Sequence, residues 1–218
     1  WITDVPDELT TIVVHRKAPP LPAIPAELHG RPVVTIISCY AGPVADGERV
    51  LAPMRAFGSP LLDLNARKPF VDHQAMFDPS FPNGWWYYFR SCEVDTLSDE
   101  VIEVTAEHAQ RFRSPLTAFP IFHLGGAVAQ IGDDDTAFHG RTSGHIFNIN
   151  ATTSARDGFD AEREWSRTFW TALQPYQMHV ETSIDRLVLQ IAPVAVLALV
   201  LVLGASFSPR ASAPAPSP

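Results

Sequence analysis

His123, His139 and His145 lie close together in the chain, and Asp133, Asp134 and Asp135 fall between them. A metal centre built from such residues needs neutral imidazoles converging about 2.0–2.1 Å from the ion. Their spacing matches neither a helical histidine pair nor an established ligand string. The triple aspartate reads as a solvated hairpin tip, and no metal is expected. His123 falls in an apolar strand, FPIFH, with Ile121 on its own face and Phe122 on the other. It either lines a pocket or is a hydrogen-bonded core histidine. Asn148 and Asn150 alternate on one face of the strand HIFNIN, preceded there by Ile146. An amide left without partners in a dry core costs about 1–3 kcal/mol. That face is therefore open to solvent or lines a polar cavity.

Trp85, Trp86, Tyr87, Tyr88 and Phe89 are consecutive. Strand alternation sends Trp85, Tyr87 and Phe89 to one face and Trp86 and Tyr88 to the other. One set belongs to the core, and the other is available as a stacking wall for a flat ligand. Gly125-Gly126 has no helix start behind it and marks a bend or a close backbone approach rather than a phosphate cradle. The chain contains no GxSxG, HExxH or P-loop motif.

The elements that must position these residues follow from pattern. Thr10–Arg16 and Val33–Tyr40 read as strands, the second β-branched, apolar and buried. Ala45–Phe57 is a helix that Pro53 shortens or bends. Trp85–Ser91 is a strand. Ser98–Phe112 is a helix capped by Ser98, with Leu97, Val101, Val104 and His108 on one face. Thr117–Val128 and Gly144–Thr152 are strands. Asp160–Leu173 is a helix that turns Trp165, Phe169, Ala172 and Leu173 inward. The predicted class is α+β: an antiparallel sheet covered by helices on one face, followed by an apolar C-terminal helix and a disordered tail.

Composition bounds the function. Of 218 residues, 46% are hydrophobic and 18% charged, enough apolar material for a real core. A net charge of −8 gives no general attraction to nucleic acid or anionic lipid. Cys39 and Cys92 form no CxxC pair; one disulfide between them is open to the sequence, and the reading taken is two buried free thiols. Three segments are expected: a globular domain over residues 1–178, a divergent segment over 179–207, and a Pro/Ala/Ser-rich tail over 208–218. Leu187–Phe207 is an apolar run of membrane-spanning length, weakened by Gln190 and Pro193. With no leader pattern at its start the chain reads as cytoplasmic, or as membrane-associated if that run is a span.

An ordered series of segments carries a resemblance. TIVVHRKAPP, HGRPVVTIISCYAG and GERVLAPMRAFGSPLLDL are followed by Gln74-Ala75-Met76-Phe77-Asp78-Pro79. FHLGGAVAQI, TAFHGR, HIFNIN and WSRTFWTALQPY follow in turn. Over about residues 1–176 the chain resembles the FAD-linked oxidases of the berberine-bridge-enzyme-like group. The resemblance implies the substrate domain of a flavoprotein, an antiparallel sheet that walls the flavin, with an N-terminal FAD-binding domain outside this chain. It implies a small-molecule substrate (an alcohol, a sugar or an amine-bearing compound) oxidised by hydride transfer to FAD. It assigns substrate contacts to His123, Asn148 and Asn150, with Asn150 at the family's glutamine or acidic position. It matches His139 and Arg141 to a His-Arg element that is interrupted here by Gly140. The family's Tyr-Val-Asn strand, which often carries the catalytic tyrosine, has no counterpart after Tyr176. No catalytic residue is therefore assigned, and the isolated chain is expected to be inactive and to bind no flavin. The competing expectation is a non-enzymatic α+β binding module tethered to a membrane through Leu187–Phe207.

Overall fold

The computed structural model describes residues 1–132, 135, 136, 138, 140, 141 and 144–178. His139, Asp133, Asp134, the expected apolar helix Leu187–Phe207 and the expected tail lie outside the described residues. Among the described residues, no helix is long and apolar enough to cross a membrane.

Five strands form one sheet: β1 (Leu9–Lys17), β2 (Pro32–Tyr40), β3 (Trp86–Val94), β4 (Ala118–His123) and β5 (His145–Thr153). Their order is β2-β1-β4-β5-β3, and every pairing is antiparallel. Among them run the helices α1 (Val44–Arg55), α2 (Phe70–Gln74), α3 (Asp99–Ala109) and α4 (Phe159–Leu173). The proline-rich connection between β1 and β2 is clipped at its base, where Ala18 N donates to Arg31 O and Gly30 N to Ala18 O, both at 2.9 Å.

Strand alternation divides the sheet into two faces. One carries Val13, Cys92, Val94, Phe119, Ile121, Phe147 and Ile149, packed against Val101, Phe112, Trp165, Phe169 and Leu173 from α3, α4 and the α3–β4 loop. Trp165, Phe169 and Leu173 repeat at a spacing of four on α4 and are 8%, 0% and 0% exposed. Each such side chain contributes about 1.5–3 kcal/mol on burial. Phe169 is the hub, meeting Phe119 and Phe147 edge-on and stacking on His108 at 4.8 Å. Polar contacts fix the same layer. Trp165 Nε1 donates to His108 O and Trp170 Nε1 to Ser91 O, both at 3.0 Å. The Ser98 hydroxyl caps α3 by accepting from Val101 N. The expected helix-covered antiparallel sheet is thus present.

Three local expectations need correction. β2 is an edge strand and not a buried one: Val34 is 59% and Ile36 37% exposed. A β-branched apolar run looks the same at an edge as at a centre, because the missing neighbour is a property of topology. β4 ends at His123, short of Val128. Gly126 takes φ +56, and a Cβ there would lie 2.8 Å from Asp7 O. The glycine pair therefore turns the chain into a short 3-10 segment across a close backbone approach. α1 ends at Arg55, two residues short of the expected Phe57, with Pro53 in its last turn.

Cys39 and Cys92 are free, on the two opposite edge strands, but only Cys92 is buried; Cys39, on the exposed strand β2, is half-buried. Burial, with Glu93 beside it, pushes the Cys92 thiol up to about 12, so it is an inert core sulfur.

Candidate functional site

The second face of the sheet lies away from α3 and α4. β5 places Ile146, Asn148 and Asn150 on it, and β3 places Tyr87, Phe89, Ser91 and Glu93. In register, Asn148 is opposite Ser91, and Asn150 lies between Phe89 on β3 and Ala118 on β4. Asn148 and Asn150 are each 6% exposed, so the solvent-facing alternative is excluded. The Oδ1 atoms of both, and the Oγ of Ser91, are buried with no hydrogen-bond partner among the described residues. Three neighbouring oxygens on one face therefore stand ready for hydrogen bonds. At about 1–3 kcal/mol per orphaned group this is a substantial cost to the chain on its own.

Aromatic rings border this row at one end. Phe81, from the loop before β3, approaches Phe89 at 6.0 Å, edge-on, and Tyr87 at 6.1 Å. Tyr87 donates its hydroxyl to Pro82 O at 2.7 Å. Phe81 is 45% and Phe89 36% exposed, so this cluster keeps open ring surface. The other aromatic set, Trp86 and Tyr88, faces the helices. Trp86 meets Phe159 at 5.6 Å, and Arg90 lies over the rings of Tyr88 and Trp170. Neither set is fully buried, so the division into core and wall is less sharp than expected.

The β4–β5 connection closes the other end of the row. Leu124, Phe122, Val128 and Phe138 pack with Ile146. Glu93 and Arg141 are 2% and 1% exposed, and both are engaged by neighbours. Gly140 takes φ +77, and a Cβ there would lie 2.5 Å from Glu93 Oε2. The glycine inserted in the His-Gly-Arg element thus lets the loop backbone pass over a buried carboxylate.

The structure does not bring the three expected substrate residues together. Asn148 and Asn150 share a face, whereas His123 pairs with His145 across β4 and β5 and points to the face of Ile121 and Phe147. The two imidazoles are 5.5 Å apart, ring centre to ring centre. Burial holds both rings below the ordinary histidine value; His145 adds to this at His123, while contacts with Asp95 and Val94 oppose it at His145. Among the described residues, no group of three or more His, Cys, Asp or Glu side chains is arranged to hold a metal ion. Sequence reading missed Ser91. The signal for it was its register with Asn148, which only the strand pairing supplies.

The comparisons fit this frame. No family model matches the chain. An FAD-linked oxidoreductase of Dictyostelium discoideum is 24% identical over 145 residues, which is 66% of this chain and 32% of that protein. The chain thus spans about a third of the curated relative's length. The solved BBE-like protein 28 of Arabidopsis thaliana superposes with a TM-score of 0.62 at 13% identity, covering 82% of this chain and 38% of its own. BBE-like 1 of Physcomitrella patens gives 0.59 at 15% identity, covering 80% and 38%. The 6-hydroxy-D-nicotine oxidase of Arthrobacter nicotinovorans gives 0.59 at 16% identity, covering 80% and 37%. In sequence this chain resembles the FAD-linked oxidases of the berberine-bridge-enzyme-like group, and over about four-fifths of its length it has the fold of part of those proteins.

Proposed function

We propose that residues 1–178 are the substrate-side domain of an FAD-dependent oxidoreductase, and that the face carrying Ser91, Asn148 and Asn150 is its pocket wall. The row of three buried oxygens without partners among the described residues carries this reading. It fits a ligand that brings N–H or O–H donors, and the open edge of Phe81 and Phe89 fits a flat or apolar portion beside them. In a flavoprotein of this kind FAD supplies the hydride acceptor. The work of this chain is to accept hydrogen bonds from the substrate's hydroxyl or amine groups, to fix its orientation, and to keep water off the reacting carbon. Asn150 sits where the resemblance puts a substrate contact, and Asn148 and Ser91 extend that contact along the sheet. His123, on the opposite face, takes no part in it. Substrates of the class are alcohols, sugars or amine-bearing compounds.

None of the described side chains is offered as the catalytic base, and the flavin-holding residues are assigned to a separate FAD-binding domain. The test is a flavin titration of the purified chain. The reading expects no stoichiometric retention of FAD through gel filtration and no perturbed flavin spectrum. A chain that holds one FAD per molecule by itself would overturn the assignment of the flavin site to another domain.

A further inference from the structure

His123 ends β4 and His145 begins β5, and the two are direct cross-strand partners. Their imidazoles sit 5.5 Å apart between centres with planes tilted by 58°. At that separation the two rings are near enough for one nitrogen of each to bind a single ion at ordinary metal–nitrogen distances of about 2.0–2.1 Å. Both rings are half-buried, which leaves an approach from solvent.

One of the two rings is oriented by a backbone carbonyl. His145 Nδ1 lies 3.4 Å from Asp95 O. A carbonyl can only accept, so that nitrogen carries the proton and Nε2 keeps its lone pair. Gly144, at φ +73, leaves out a Cβ that would collide with the same Asp95 carbonyl oxygen. Gly125 likewise leaves out a Cβ that would collide with the His123 ring. Each histidine is therefore seated beside a glycine that gives room to it or to its carbonyl partner.

We propose that His123 and His145 form a two-imidazole clamp for one divalent transition-metal ion of the copper–zinc class, with water completing its coordination. Imidazole pairs favour Cu²⁺ most strongly within the divalent series. The site lies on the opposite face from the asparagine row and is independent of the flavoprotein reading.

Copper(II) alone is the probe. Substoichiometric Cu²⁺ is added to the folded chain while the ring-proton NMR signals are followed, and the bound ion is then examined by electron paramagnetic resonance. The His123 and His145 signals should broaden before those of His29 and His73, and the spectrum should carry coupling to imidazole nitrogen. His123→Gln and His145→Gln should each weaken binding by about tenfold or more, with the circular dichroism spectrum unchanged. Broadening that reaches His29 or His73 first, or unaltered affinity in both variants, would overturn the site. Should a variant misfold, the order of broadening in the parent chain decides alone.

Discussion

Ser91 and Asn148 face each other across β3 and β5, and the buried oxygen of each lacks a hydrogen-bond partner among the described residues. The outward backbone of the same serine tells a different story, because Ser91 O accepts from Trp170 Nε1 on α4. One residue thus ties the helix layer down while its side chain looks the other way. Native structures keep few buried groups unpaired, and those that persist mark a place where something else supplies the partner.

Glu162 is a buried polar tie in the helix layer. It is 3% exposed, and its carboxylate accepts from Arg113 N at 2.7 Å, Ser114 N at 2.8 Å and the Thr117 hydroxyl at 2.6 Å. These bonds hold the α3–β4 loop to α4. Glu162→Ala leaves the Arg113 and Ser114 N–H groups stranded, whereas the Thr117 hydroxyl still reaches Thr152 O at 3.3 Å, and should cost about 3 kcal/mol or more in urea unfolding. Glu162→Gln keeps an acceptor and should cost less. Equal losses in the two variants would show that the carboxylate does not act as the anchor.

Acid should destabilise this protein early. His15 and His108 stack on Phe119 and Phe169 at 4.5 and 4.8 Å, and burial lowers both from the ordinary value of 6.5. Burial lowers His123 and His145 as well. A histidine lowered in the folded state stays neutral while its unfolded counterpart takes up a proton below pH 6.5. Stability is therefore fully present above that pH and is lost as pH falls below it. Melting temperatures measured from pH 8 to pH 5 should hold steady at the top and decline below about 6.5. A flat profile through that window would contradict histidines kept neutral in the folded state.

Gly140 should resist substitution. At φ +77, with the Glu93 carboxyl group 2.5 Å from where a Cβ would stand, an alanine strains the backbone and displaces a buried side chain. Gly140→Ala should lower stability by about 2 kcal/mol or more, read by thermal melting. Gly30→Ala also meets a positive φ but has open space around it, and should cost about 1 kcal/mol. Similar losses at the two glycines would remove the close packing of the loop on Glu93.

Much of this was legible in the sequence because the signals were local. Ser98 before an acidic first turn, and Trp165, Phe169 and Leu173 at a spacing of four, give α3 and α4 and their inward faces. Alternation alone put Ile121 with His123 and Phe122 across from them, and the register agrees. The same alternation put Asn148 and Asn150 together, yet could not say that His123 lay on the other side, because relative faces on different strands depend on register. The exposure of Val34 was hidden for a related reason, since nothing in VVTIISCY reports that only one strand lies beside it. Ser91 passed unnoticed because a serine in a strand carries no signal until its cross-strand partner is known.

The wall itself is tested most directly by removing its amides. If Asn148 and Asn150 are kept for a ligand rather than for the fold, replacing them by leucine, a side chain of similar shape, removes two orphaned oxygens and asks nothing new of the core. Urea unfolding of the Asn148→Leu/Asn150→Leu chain should show stability equal to the parent within about 1 kcal/mol, or higher. A loss of more than about 2 kcal/mol would mean that the amides hold the sheet together, and the pocket-wall account would fail.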